Sequence, residues 1–211
     1  MDSNNILQRG RNLFYSKIDV EILKYELTNW VNESSCSEKY GRSEAMSRIM
    51  SAYNNRSDSL DLSQLSLSSI PLGINKLFFI TNIKMNKNQI TEIKENTFNG
   101  LVYLRNLYLS ENQITKIKEN AFNGLVKLYQ LKLNHNQITK IDAKAFGGLK
   151  QLYTLGLNNN QITEFKVNVS NGKLRVLDLY DNKITKIEAN AFKRLKGLQS
   201  LFFKRKPNKE L

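Results

Sequence analysis

Asparagine returns along this chain at nearly constant intervals: Asn88, Asn112, Asn136, Asn160 and Asn182, each two residues before an isoleucine. Each is set in the same apolar frame, as in Leu104, Leu107, Leu109, Asn112, Ile114, Ile117, Phe122 and Leu125, and again from Leu128 to Leu149. The frame starts at Ile80, Leu104, Leu128, Leu152, Leu174 and Leu198, so the spacings are 24, 24, 24, 22 and 24 residues. A single unit of this kind cannot enclose its own apolar face. It must stack on copies of itself, and a fixed period of this length therefore specifies a solenoid.

Within L-x-x-L-x-L the last two leucines alternate with polar residues, the period of a strand with one buried face. The expected fold is α/β: a curved parallel ladder, one strand per coil, strands about 4.7–4.9 Å apart. A variant first unit runs through Leu60, Leu62, Leu65, Leu67 and Ile70, with leucine where later units have asparagine, and brings the expected strands to seven. Every coil must turn sharply after its strand, leaving backbone groups that need partners away from water. The asparagine amide, with two donors and an acceptor, is suited to that task from inside the stack. Phe98, Phe122, Phe146 and Phe192 occupy one equivalent position and are expected to form a spine. All these residues are assigned to the core and not to a site.

Residues 1–56 precede the repeats, the repeats occupy 57–203, and 204–211 form a basic tail. Residues 1–18 carry no clear pattern. Val20, Leu23, Leu27, Trp30 and Val31 fall at helical spacing, and a second helix is expected from Ser43, an N-cap residue type, with Ala45, Met46, Ile49, Met50 and Tyr53 inward. The pair is expected to cap the stack, since an uncovered strand edge invites association, and Trp30 is assigned as its anchor. The unit from Leu152 is two residues short, with FKVNVSNG from Phe165 in place of the usual segment. At the other end Leu198, Leu201 and Phe203 begin a further coil, but Lys206 stands where asparagine belongs.

The net charge is +13, and it is uneven: residues 1–56 hold eight basic and seven acidic side chains, residues 57–211 hold 24 and 12. Such an excess raises nucleic acid as a partner. Many of the lysines, among them Lys116, Lys118 and Lys140, fall on segments that must solvate the outer side, so nucleic acid is disfavoured. The amino terminus has no apolar run of a secretory signal, and no stretch approaches the length of a membrane span. Cys36 is the only cysteine, which excludes an internal disulfide and points to a reducing compartment.

At 57–71 the chain reads S-D-S-L-D-L-S-Q-L-S-L-S-S-I-P. With the helical region and its tryptophan before it and repeats after it, this layout resembles the leucine-rich-repeat effectors secreted by intracellular bacteria, including those that carry a ubiquitin-ligase domain. The likeness in layout covers residues 20–80. The 24-residue units depart from the shorter repeats of the ligase group and are more similar to the Asn/Lys-rich repeats of Legionella-type effectors. No domain follows the repeats and the one cysteine precedes them, so ligase activity is not carried over. The resemblance implies delivery into a host cell, and so the host cytoplasm, together with recognition of a protein there.

No catalytic constellation, phosphate loop or metal-ligand spacing is present, and neither cofactor nor metal is expected. The carboxylates Asp178 and Asp181 flank Tyr180, but an open ladder offers no pocket to exclude water. The residues between the ladder leucines are instead expected to be free of structural duty. One such column reads Lys84, Tyr108, Lys132, Gly156, Asp178 and Phe202, and the next reads Asn86, Ser110, Asn134, Asn158, Tyr180 and Lys204. Arg105, Tyr129, Tyr153 and Arg175 lie nearby, and His135 sits beside its strand. Aromatic and arginine side chains dominate binding hot spots. The candidate contact residues are therefore Lys84, Arg105, Tyr108, Lys132, His135, Tyr153, Arg175, Asp178, Tyr180 and Phe202, on a monomer that binds a host protein or another effector. The competing readings are an anionic-ligand binder and the substrate-recognition portion of a larger ligase-like enzyme.

Overall fold

The computed structural model describes residues 17–165, 172–187, 192 and 195–203. The expectations for 1–16, for the segment after Phe165 and for the tail at 204–211 fall outside the described residues. Helix α1 (Lys17–Asn32) buries Leu23, Leu27, Trp30 and Val31, and α2 (Lys39–Asn55) buries Ala45, Ile49, Ala52 and Tyr53. Each set recurs at three- to four-residue spacing, one stripe per helix. The second helix starts four residues before Ser43. Glu38 occupies its N-cap without a side-chain cap bond, and its carboxylate is held by Arg42 and by the Ser68 amide of the first coil. A tertiary contact thus takes the place of the hydroxyl cap that Ser43 suggested. Gly41 lies inside this helix because a Cβ there would run into the Leu65 carbonyl.

The repeats form a seven-stranded parallel sheet from β1 (Ser59–Asp61), β2 (Asn82–Lys84), β3 (Asn106–Tyr108), β5 (Gln130–Lys132), β7 (Thr154–Gly156), β9 (Val176–Asp178) and β11 (Ser200–Phe202), in that order. Leu60, Ile83, Leu107, Leu131, Leu155, Leu177 and Leu201 are in register. Two-residue strands on the far side of the coils pair as β4 (Lys116–Ile117) with β6 (Lys140–Ile141), and β8 (Glu164–Phe165) with β10 (Lys186–Ile187).

The asparagines join consecutive coils. Asn136 Nδ2 donates to the carbonyls of Leu133 in its own coil and Leu109 in the preceding one, and its Oδ1 accepts the Ile114 N–H. Asn112, Asn160 and Asn182 repeat this set. Asn88 does the same for the variant first coil, where its Oδ1 takes both the Leu65 and Leu67 amides. Buried backbone groups at each turn are satisfied in this way.

Phe98, Phe122 and Phe146 stack at centroid distances of 6.2 and 5.7 Å. The fourth unit, short by two residues, has no phenylalanine at the spine position. Phe165, in register with Ile187 and so in the isoleucine column, is fully buried there and stacks on Phe192 at 5.7 Å. The ring at the isoleucine position thus gives Phe192 an aromatic partner.

Candidate concave contact surface

The strand pattern puts the central residue of each ladder strand inward, buried in all but the last strand, where Leu201 is exposed, and its two neighbours on the inner wall. Lys84 and Phe202 are exposed, whereas Tyr108, Lys132 and Asp178 are half-buried. The Tyr108 hydroxyl donates to Gln130 Oε1 at 2.9 Å, which fixes the ring along the wall. Lys132 is half-buried because Gly156, the next residue in its column, leaves room for it: a Cβ on Gly156 would lie 2.9 Å from Lys132 Cδ. Asp178 Oδ1 accepts the N–H of Tyr180, a turn within its own strand exit, which gives this carboxylate a local structural bond. Tyr180 itself is exposed.

The second column is not free of structural duty. Asn86 Oδ1 accepts the Ser110 N–H, the Ser110 hydroxyl donates to Asn134 Oδ1, and Ser110 is buried. These short polar side chains extend the ladder of bonds that begins with the asparagines, so this column is a seam between coils up to Asn134. Lys204, its last member, is outside the described residues. A further inner column consists of Asn82, Asn106, Gln130, Thr154, Val176 and Ser200, which precede the central ladder positions and share the wall with Lys84 and its partners. Strand alternation alone places them there, but their residue types carry no hot-spot signal.

His135 lies at φ 54° and is exposed. It belongs to a column of left-handed residues, Gln64, Lys87, Glu111, His135, Asn159 and Asp181, each immediately before the residue that occupies the ladder position. The chain turns off the strand there, and the asparagine amide bonds hold that turn. The position is thus backbone-defined, and histidine is one of several types it carries.

Arg105 is exposed, and Arg175 is half-buried with its Nη1 donating to the Gly172 carbonyl at 2.9 Å. Tyr153 stacks on Tyr129 with centroids 4.8 Å apart. The backbone bonds Tyr129 N–H to Arg105 O, Tyr153 N–H to Tyr129 O and Arg175 N–H to Tyr153 O place these four residues in one column where the chain enters each strand. The ten candidate residues therefore divide between the inner wall and its two borders: Arg105, Tyr153 and Arg175 on the entry border, His135 and Tyr180 on the exit side.

Glu38 and Arg42 form the least exposed ion pair among the described residues, 2.9 Å apart under the cap. Burial pushes the Glu38 carboxyl up, but hydrogen bonds from Ser68 and the charge of Arg42 outweigh it and hold the group below the usual carboxylate range. At the start of the inner wall Asp61 is likewise low: burial is outweighed by the Ser63 N–H and hydroxyl, then by Lys84 and Arg48. Both shifts follow from structural contacts and mark no reactive group. Among the described residues no three His, Cys, Asp or Glu side chains gather as metal ligands, and no helix is long and apolar enough to cross a membrane.

Leucine-rich-repeat family signatures match residues 80–138 and 127–170, and a second leucine-rich-repeat signature matches 173–195. No curated protein matches the chain in sequence. Among solved structures, the leucine-rich-repeat domain of a Shigella effector is similar over 78% of this chain and 67% of its own, at 25% identity and a TM-score of 0.61. With those signatures on its coils, a parallel ladder joined by asparagines and two helices over its first strand, the chain is a leucine-rich-repeat solenoid with an amino-terminal helical cap, similar to the repeat domain of a bacterial effector.

Proposed function

We propose that this protein is a non-catalytic interaction module, a bacterial effector delivered to the cytoplasm of a host cell, where its concave face grips a host protein or a second effector. The supporting observation is the inner wall itself. Seven strands in register present Lys84, Tyr108, Lys132, Asp178 and Phe202 on a backbone held rigid by the asparagine ladder. A backbone fixed in this way leaves only side-chain freedom to be lost on binding, which favours affinity. The likeness to an effector's repeat domain supports the delivery part of the reading.

Nucleic acid fits the outer side less well. Three of its lysines have carboxylates within reach: Lys186 with Glu164 at 2.8 Å, Lys144 with Glu119 at 3.2 Å and Lys140 with Asp142 at 3.5 Å. A phosphate backbone would have to displace these partners.

The test is capture from host-cell and bacterial lysates with the full chain and with a variant carrying Tyr108→Ala, Lys132→Ala and Tyr180→Ala. A protein retained by the first and lost by the second, with circular dichroism and melting unchanged, supports the concave assignment. Equal retention by both overturns it.

A further inference from the structure

We propose that the border where the chain enters the ladder strands is a second docking surface, built for an acidic, partly apolar segment of a partner protein. The inference rests on the reading that the chain binds protein, and it assigns a different surface and the chemistry of what binds there.

Two observations coincide on that border. The first is apolar. Val102 and Val126, in adjacent coils, are 39% and 42% exposed, and Tyr103 and Tyr129 beside them are exposed too. Tyr129 stacks on Tyr153 of the next coil, so exposed or half-buried aromatic and aliphatic side chains recur on this border in three successive coils. Single exposed apolar residues are ordinary, but a contiguous run of them marks a site of association. The second observation is charge. The strand-entry segments 78–81, 101–105, 125–129, 149–153, 172–175 and 195–199 contain Arg105, Lys127, Lys150, Lys173, Arg175 and Lys196, and not one aspartate or glutamate. Asp58 stands at the head of this border, two coils before Arg105. On the outer side, by contrast, Lys140, Lys144 and Lys186 each have a carboxylate partner.

Such a border attracts an anionic partner and rewards one that also carries leucine or phenylalanine. A protein segment fits better than a nucleic acid. Bases stack on open aromatic faces, yet Lys127 Nζ sits 4.4 Å from the Tyr103 centroid, and Tyr129 and Tyr153 each take up one face of the other, leaving mainly ring edges and the outer faces for a partner. The exposed valines have no counterpart in a sugar-phosphate chain.

The probes are short synthetic peptides that interleave glutamate with leucine and phenylalanine, the same peptides with lysine for glutamate, and an oligothymidylate. Binding is measured by fluorescence anisotropy to three proteins: the full chain, an edge variant (Lys127→Glu, Lys150→Glu, Tyr129→Ala) and a concave variant (Lys84→Ala, Lys132→Ala). All substituted side chains are at least partly exposed, and melting curves check that each variant folds. The expected result is binding of the acidic peptide to the full chain, weakened by about tenfold or more in the edge variant, as charge reversal on a steering surface does, and changed little in the concave variant. Loss in the concave variant alone overturns the edge assignment and leaves the concave reading standing. Absence of acidic-peptide binding, equal binding of the lysine peptide, or tighter binding of the oligothymidylate overturns it as well. The lysate capture above judges the concave reading separately.

Discussion

The guanidinium of Arg42 lies 4.9 Å from the centroid of the Trp30 ring, and its Nη1 donates to the Trp30 carbonyl at 2.6 Å. The same group holds Glu38, whose other oxygen takes the Ser68 amide, while Trp30 Nε1 donates to Ser69 Oγ. These contacts tie both helices to the first coil.

Arg42→Ala should therefore loosen the cap. It leaves Glu38 largely buried without its counter-charge, and losing one member of a buried pair costs about 3–5 kcal/mol. The lower end is expected, since Glu38 retains some contact with water. Urea unfolding should show this loss, with hydrogen exchange fastest in α1 and α2. A midpoint equal to wild type would show that the cap is held by its apolar contacts alone.

The low carboxyls of Glu38 and Asp61 give acid stability a direction. Both are charged in folded and unfolded chains above the unfolded value, about pH 4, and there the stabilisation is fully present. As pH falls through the lower folded values the unfolded chain binds protons first, and the stabilisation is lost. The melting temperature should hold from pH 7 to pH 5 and drop steeply below about pH 4. Glu38→Gln should start lower at neutral pH and fall less on acidification; a parallel curve would rule out this carboxylate as a contributor.

How much of this was legible in the sequence differs by level. The repeat frame specified the ladder, its register and the asparagine bonds, because the period leaves one way to bury the leucines. The start of α2 was not legible, since Glu38 is fixed by Ser68, thirty residues away and in another element. In sequence Phe165 begins an irregular segment; its place in the isoleucine column and its stack on Phe192 come only from the pairing with Ile187 and the packing of a later coil. Among the candidate site residues, alternation placed Lys84, Tyr108 and Lys132 on the wall. It could not show that Ser110 is tied to Asn134, or that Tyr153 belongs with Tyr129 on a border.

Phe165→Ile would restore the residue type of its column and yet should destabilise the protein. Isoleucine is smaller than the ring that reaches Phe192, so a void opens beneath the shortened coil. A cost of about 1–3 kcal/mol is expected, below the 3–5 kcal/mol of a full phenylalanine truncation such as Phe146→Ala. Urea denaturation of the two variants side by side tests the order. If Phe165→Ile costs nothing, the fourth coil closes without the ring.

Asn136→Ala removes the donor for the Leu109 and Leu133 carbonyls and the acceptor for the Ile114 N–H, all buried. Orphaned buried groups cost about 1–3 kcal/mol each, and partial relaxation makes about 3 kcal/mol a reasonable total. Asn136→Asp should be worse, because a carboxylate would face two carbonyl oxygens with no proton to offer. Chemical denaturation should rank wild type above alanine and alanine above aspartate; the reverse order would mean that packing, not bonding, holds the turn.

His135 separates backbone from contact roles. At φ 54° a β-branched residue is strained by about 1–2 kcal/mol, whereas glycine adopts that conformation freely. His135→Ile should lower stability by roughly that amount, and His135→Gly should leave it near wild type. If the imidazole also contacts a partner, His135→Gly will weaken binding while melting normally. The two readouts together distinguish a turn residue from one that touches the partner: equal stability in both variants would show that the left-handed turn tolerates any side chain, and unchanged binding by His135→Gly would remove His135 from the contact surface.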